Sequence, residues 1–320
     1  MTSAAHAEIA PGQGLLVEAV PHPGEPQVQV TVVLPCYNEV GHVEAEIVRI
    51  TKAMDASGYV YDLDVYDDLS NDGTRDLLAK LAPRFPRMRY LPRHRNGGSG
   101  TIRRIGTQNA RGEFVVWTDA DMTYPNERIP EFVALLENDE SIDQVVGART
   151  SEEGTYKFLR VPAKWVIRKI ASYLTATHIP DLNSGLRAFR RSVSLPYLRL
   201  LPPGFSCVTT LTVSFLSNNH DVQYVPIQYE KRAGVSKFHF TKDAYRYILQ
   251  VLRMVMYFNP IKVLMPLALW IMGLGFVKLI IDLSIHSGRV TGSTVLAIII
   301  GFQVAALGLI GDLIVKSRDA

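Results

Sequence analysis

Cysteine is nearly absent: Cys36 and Cys207 are the only two among 320 residues. A pair so far apart lacks metal-ligand spacing and cannot build a disulfide framework, so both are expected to be small buried apolar residues. An excess of charge of one sign is also lacking. The 34 Lys and Arg nearly balance 31 Asp and Glu, and a net charge of +3 leaves no electrostatic footprint for a nucleic acid. Residues 1–26, rich in Ala, Gly and Pro, have no basic segment followed by an apolar run. They read as a flexible tail rather than a secretory signal. Charge then thins out in the last sixty residues, which are mostly apolar.

What is present before that tail is an alternation. Val28–Leu34 is a β-branched run that stops at Pro35, and Tyr61–Tyr66, Met88–Leu91, Phe114–Thr118 and Gln144–Gly147 read as further strands. Helical spacing fills Val43–Met54 and Thr74–Leu81, and a glycine-rich turn from Asn96 to Gly100 opens a helix toward Ala110. Strands alternating with helices predict an α/β fold with a mostly parallel sheet. Ligands of such sheets bind at the carboxyl ends of the strands. Asn38, Glu39, Asp67, Asp68, Asp119 and Asp121 all fall at such ends.

The second half carries membrane signals. Over residues 158–174, Arg160, Lys164, Arg168 and Lys169 interleave with Phe158, Trp165 and Ile170, the pattern of an amphipathic helix at a membrane surface. Residues 241–260 read as a second interfacial helix. Two apolar runs, 263–283 and 294–315, are each about one bilayer thick and are joined by a short loop, which predicts a transmembrane hairpin within 261–320. Lys262, Lys316 and Arg318 flank the open end, whereas the loop carries Arg289. That bias places both termini, and a catalytic domain over 27–240, in the cytoplasm. Lys278, Asp282 and Asp312 lie near span ends and read as structural.

Asp119-Ala120-Asp121 follows the fourth strand. Two carboxylates one residue apart can jointly meet a divalent cation, and oxygen ligands suit Mg²⁺ or Mn²⁺. The segments P-C-Y-N-E (35–39), D-D-L-S-N-D-G-T (67–74), N-G-G-S-G-T (96–101) and D-A-D (119–121) occur in that order. The set resembles the GT-A-fold, family-2 inverting glycosyltransferases. Two later segments, D-L-N-S-G-L-R-A-F-R-R (181–191) and R-A-G-V-S-K-F (232–238), are similar to the polyprenyl-phosphate branch. That branch includes dolichyl-phosphate mannose synthases and bacterial polyprenyl-phosphate glucosyltransferases. The resemblance runs from about Val28 to Val315 and includes a two-helix anchor.

The resemblance implies transfer of a sugar from a nucleotide-sugar, a UDP-sugar being favoured, to polyprenyl phosphate at the cytoplasmic face of a bacterial membrane. Pro35, Tyr37, Glu39, Asp67, Asp68 and Ala120 would hold the donor nucleotide. Asp119, Asp121 and Thr123 would serve the metal. Arg149, Arg168, Ser172, Ser184, Arg187, Arg232 and Lys237 would form a cationic pocket for the acceptor phosphate. Asp119, Asp121, Asp181 and Arg187 would be catalytic, with Asp181 orienting an arginine, acting as a weak base, or pairing with Arg187. The chain departs from the family pattern at Leu69, a usual Gly; at Ser99, commonly Lys; and at Thr123, often Gln. Self-association through the amphipathic and membrane helices is compatible with this layout.

A processive polysaccharide synthase would need a Q-x-x-R-W motif and further spans, and the sequence has neither. A catalytically inactive GT-A scaffold or binding module, or a transferase using another lipid acceptor, remain as alternatives. The intact D-A-D segment and the set of arginines argue against the scaffold.

Overall fold

The computed structural model describes residues 27–150, 172, 177–204, 206–230, 256–257, 259–285 and 289–318. The expected tail over 1–26, most of both amphipathic segments (158–174 and 241–260), and Arg168, Arg232 and Lys237 lie outside the described residues.

Strand β1 (Val30–Cys36) shows why the sheet forms: V-T-V-V-L-P-C is β-branched and buried almost throughout. Around it stand β2 (Tyr61–Asp67), β3 (Met88–Pro92), β4 (Phe114–Trp117), β5 (Ile142–Arg149), β6 (Arg187–Arg190) and β7 (Asp221–Ile227). They make one seven-stranded sheet in the order β3-β2-β1-β4-β6-β5-β7. Pairings β1–β2, β1–β4, β2–β3 and β5–β7 are parallel, and β6 alone runs antiparallel between β4 and β5. The expected mostly parallel α/β sheet is present, with β6 as an addition. Three arginines in R-A-F-R-R hide that strand from a hydrophobicity pattern.

Side chains alternate across the sheet. Val30, Val32 and Leu34 face α1 (Val43–Ser57) and α4 (Ile129–Asn138), meeting Ile47, Ile50, Phe132 and Leu136. Val33 and Trp117 face the other layer, formed by α3 (Ser99–Asn109) and α5 (Cys207–Ser217). Each fully buried aliphatic side chain stabilises by about 1.5–3 kcal/mol, so this double-sided core fixes where β1, β2 and β4 end. Helix α2 (Thr74–Leu81) follows β2. Helix α5 was not anticipated: C-V-T-T-L-T-V-S-F-L-S is rich in β-branched residues, and burial of nearly its whole surface overrides that propensity.

Helices α6 (Ile261–Ile285) and α7 (Gly292–Arg318) pair as the expected hairpin. They run a few residues beyond the predicted spans. At 1.5 Å per residue each exceeds the roughly 30 Å hydrocarbon layer. Trp270, Leu269, Phe302 and Leu313 point outward and are more than half exposed, whereas a Cβ on Gly301 would lie 2.3 Å from Met272. Small residues at that crossing let the backbones approach. Near the loop, Asp282 is buried and accepts bonds from Thr291 N (2.9 Å), Thr291 Oγ1 (2.6 Å) and Thr294 Oγ1 (2.6 Å), with Lys278 Nζ at 3.3 Å. Asp312 pairs with Lys316 at 2.8 Å. Asp282 thus ties the two helices together at the loop, whereas the Asp312 pair lies within α7. Val263 joins a small cluster of Ile179, Leu182, Val213 and Leu216, so the first span begins against the α/β domain.

Candidate active site

The carboxyl ends of β1, β2 and β4 open into one pocket, whose lining includes Pro35, Tyr37, Glu39, Asp68, Asp119 and Asp121. Cys36 lies at its floor, and burial pushes its thiol pKa up. Both cysteines are buried and unbridged, as expected.

The first two motifs are laced together by short hydrogen bonds. Asn38 adopts a left-handed backbone (φ 56), which Asn tolerates better than most residues. Its amide donates to Ser70 Oγ (2.9 Å), and its Oδ1 accepts from Asn71 N (2.9 Å). The Glu39 amide donates to Thr74 Oγ1 at 2.9 Å. Leu69 sits at φ 67, which explains the preference for Gly at this position: left-handed backbone crowds a Cβ.

Asp67 and Asp68 hold the scaffold of this pocket. Asp67 is buried, accepts from Ser70 N at 3.1 Å and pairs with Arg75 at 3.3 Å; it is absent from the lining. Asp68 reaches the pocket, but both its oxygens accept amides of the glycine loop, Gly97 N at 2.9 Å and Gly98 N at 2.7 Å. That loop brings backbones together: Gly100 N donates to Pro203 O at 2.8 Å, and a Cβ there would lie 2.1 Å from Pro202 O. Gly204 thereby becomes part of the pocket wall.

The D-A-D segment is held from both helical layers. Arg103 of α3, itself 1% exposed, donates from Nη2 to Asp119 Oδ1 at 2.7 Å and lies 5.7 Å from the Trp117 ring. Burial lowers its pKa, but Asp119, Cys207 and Tyr124 together outweigh that and raise it. On the other side, Glu46 of α1 accepts from Met122 N at 3.0 Å and Asn126 Nδ2 at 2.8 Å. Burial raises the Glu46 pKa, although Asn126 and Arg49 pull the other way. Sequence reasoning missed both residues. A charged residue within each helix's buried stripe was the available signal.

Asp121 lines the pocket, and its Oδ1 accepts from Thr123 Oγ1 at 2.6 Å. Thr123, expected to serve the metal, is thus bonded to the acid itself. Among the described residues no cluster of three or more His, Cys, Asp or Glu could hold a metal alone. An all-oxygen pair of carboxylates open to a pocket still fits Mg²⁺ or Mn²⁺, which complete their shells with water and substrate phosphate.

The expected acceptor residues separate. Arg149 makes a bidentate pair with Asp181, Nε–Oδ2 2.6 Å and Nη2–Oδ1 2.9 Å, and its guanidinium lies 5.3 Å from the Tyr229 ring. Of the roles left open for Asp181, the geometry is that of orienting an arginine, and that arginine is Arg149, not Arg187. Burial alone would raise its carboxyl pKa, yet the bonds and charge of Arg149 outweigh burial and hold it low, which makes it a poor base. Arg187 and Ser184, expected in the acceptor pocket, are fully buried. Arg187 donates to Val208 O (2.6 Å), Thr212 Oγ1 (2.8 Å) and Ser184 O, fastening β6 to α5. Burial, then repulsion from Arg103, lowers its pKa to about 10. Ser172 is half-buried and accepts from Ile179 N at 3.3 Å.

Residues 31–195 match the family model Glycosyl transferase family 2, and residues 259–316 match the GtrB C-terminal hairpin. An undecaprenyl-phosphate 4-deoxy-4-formamido-L-arabinose transferase of Aeromonas hydrophila is 25% identical over 299 residues, covering 89% of this chain and 88% of the relative. The protein of the same description from Shewanella sediminis is 31% identical over 165 residues, 51% of this chain and 49% of the relative. Glucosyl-3-phosphoglycerate synthase from Mycobacterium tuberculosis, solved with Mn²⁺ and UDP-glucose, superposes with a TM-score of 0.56 at 20% identity, over 71% of this chain and 79% of that one. The last likeness speaks to the fold.

Proposed function

Because the chain belongs to glycosyl transferase family 2, we propose that it transfers a sugar from a UDP-sugar to polyprenyl phosphate, with inversion, at the cytoplasmic face of a bacterial membrane. The observation that carries the reading is the D-A-D pair lining a strand-end pocket in a chain that ends in an apolar hairpin. Two relatives named as undecaprenyl-phosphate sugar transferases support the acceptor class. The solved neighbour holding Mn²⁺ and UDP-glucose supports the donor and metal. The basic flanks Lys262, Lys316 and Arg318 support the cytoplasmic side.

Asp121 and Asp119 would hold the Mg²⁺ or Mn²⁺. When bound, that metal neutralises charge developing on the leaving nucleotide diphosphate. Tyr37 and Glu39 would meet the base and ribose, with Asp68 fixing the loop beside them. Arg149 and Ser172, together with Arg168, Arg232 and Lys237, would orient the acceptor phosphate; arginine suits this because its fork donates paired hydrogen bonds. A phosphate monoester has a second pKa near about 6, so at pH 7 it is largely a dianion and needs no strong base. That fits an Asp181 whose proton affinity is suppressed by Arg149. The remaining task is to bring two anions together, which positioned arginines achieve.

The test is to incubate membranes containing the protein with a panel of nucleotide-sugars and undecaprenyl phosphate, and to weigh the lipid product by mass spectrometry. A product heavier by one glycosyl unit from a UDP-sugar is expected. Absence of any lipid product from every donor would refute the reading.

A further inference from the structure

Asp121 is followed by Met122 at φ 61. A left-handed backbone crowds a residue that carries a Cβ, so the turn that presents Asp121 has to be held by something else. The holding group is on α1. The buried stripe of that helix reads Val43, Ile47, Ile50 and Met54, with Glu46 set among them at 0% exposure. A carboxylate buried there is unfavourable unless its oxygens are satisfied. Glu46 Oε2 accepts the Met122 amide at 3.0 Å, and Oε1 accepts Asn126 Nδ2 at 2.8 Å and Arg49 Nε at 3.1 Å.

The network closes around the turn. Asn126, fully buried, accepts from Thr118 Oγ1, the residue just before Asp119. Arg49 also donates to the Tyr124 carbonyl and lies 3.5 Å from Glu127. One carboxylate thus reaches both sides of D-A-D, through Asn126 to Thr118 and directly to Met122. Glu46 is not among the pocket-lining residues, so whatever it does for a ligand it does through the backbone.

We infer that Glu46 is the positioning residue of the metal-binding turn, accepting the Met122 amide so that the Asp121 carboxylate is set toward the metal and the donor diphosphate. This rests on the metal-dependent transferase reading above. Glutamine cannot replace it. An amide offers one acceptor where Met122 N, Asn126 Nδ2 and Arg49 Nε all require one, so either the turn amide or the asparagine is left facing a donor. Leucine would continue the apolar stripe, and Arg49 would keep the Tyr124 carbonyl and Glu127, yet the Met122 amide and Asn126 Nδ2 would both lose their acceptor.

The test uses full-length protein in detergent, with UDP titrated by calorimetry in the presence and absence of Mn²⁺, thermal melting as a control of folding, and transfer kinetics. In wild type Mn²⁺ should tighten UDP binding. In Glu46→Gln, UDP binding without metal should stay within about twofold of wild type, whereas the tightening by Mn²⁺ should fall by about tenfold, the loss of one charge-assisted contact. Turnover should fall with it, and the KM for lipid acceptor should not move. Glu46→Leu should show the same loss at a melting temperature equal to or above that of Glu46→Gln, which covers the case of a poorly folding Gln variant. Unchanged Mn²⁺ tightening in a folded Glu46→Leu protein would overturn the inference. If Mn²⁺ fails to tighten UDP in wild type as well, and Asp121→Asn changes nothing, the metal reading itself falls and takes this inference with it.

Discussion

The proposed donor half and the proposed acceptor half of this site are built on opposite plans. On the donor side, acids stand at strand ends and are held by nearby amides and hydroxyls: Asp68 by Gly97 and Gly98, Asp121 by Thr123, and Asp119 by one buried arginine. On the acceptor side, arginines expected to share one pocket part company in space. Arg149 is paired with Asp181 beside Tyr229, whereas Arg187 is sunk between β6 and α5. The first half gathers at one pocket, whereas the second is divided between the end of β5 and the seam of β6 with α5. A motif is therefore a better guide to residue role on the donor side.

The largest effect expected from this contrast comes from the donor side. Asp121→Asn removes a charge from a site that has to accept a cation and a diphosphate, and should lower turnover by at least roughly a hundredfold. Excess Mn²⁺ should recover part of it. Wild-type turnover in the folded variant would remove Asp121 from the metal site.

Next comes Arg149→Ala, which strands the Asp181 carboxylate. Breaking a largely buried pair should cost about 3 kcal/mol of stability, read as a fall in chemical-denaturation midpoint. The sign with pH follows from the lowered Asp181 pKa. The stabilisation is fully present above the unfolded carboxyl value of about 3.9 and is lost as pH falls through the lower folded value. The gap between wild type and variant should accordingly be wide at pH 7 and narrow below about pH 4. A gap constant across that range would show that the pair adds nothing through ionisation.

The acceptor side itself is sharpened by comparing Arg187→Met with Arg232→Ala. Arg187→Met should lower stability by about 1–3 kcal/mol, since three oxygens lose a donor, with the KM for lipid within about twofold of wild type. Arg232→Ala should do the reverse, raising the lipid requirement by roughly tenfold to a hundredfold while UDP binding by calorimetry is unaltered. Identical kinetic profiles for the two variants would erase the distinction between them.

The parts legible in the sequence were those that local chemistry decides. Val28–Leu34, the strand-end acids and the two apolar runs each carry their own signal, and the sheet and hairpin followed from them. Strand β6 and helix α5 did not: R-A-F-R is too polar to read as a buried strand, and C-V-T-T-L-T-V favours strand until its neighbours bury it as a helix. Glu46 and Arg103 were passed over because a charge in an amphipathic helix is normally solvated, and only the fold shows each one buried against the D-A-D turn. Thr123 carried too little information to separate a ligand from a group that orients one. Leu69 was noticed as a departure, and its φ of 67 gives the reason.

That residue supplies the smallest expected effect. Leu69→Gly relieves a left-handed backbone but adds freedom to the unfolded chain, so a net stabilisation of up to about 1 kcal/mol is expected. A destabilisation of that size would mean that the Leu69 side chain makes contacts outweighing its backbone strain.

The central claim is that a lipid phosphate is the nucleophile, unaided by a strong protein base. Its most direct test offers the purified protein, in lipid and with Mn²⁺, a labelled UDP-sugar and either undecaprenyl phosphate or undecaprenol, and counts label in the organic phase. Transfer to the phosphate alone, with the alcohol inert even at saturating concentration, is the result predicted here. Comparable transfer to undecaprenol would require a base that this account does not provide, and would contradict it.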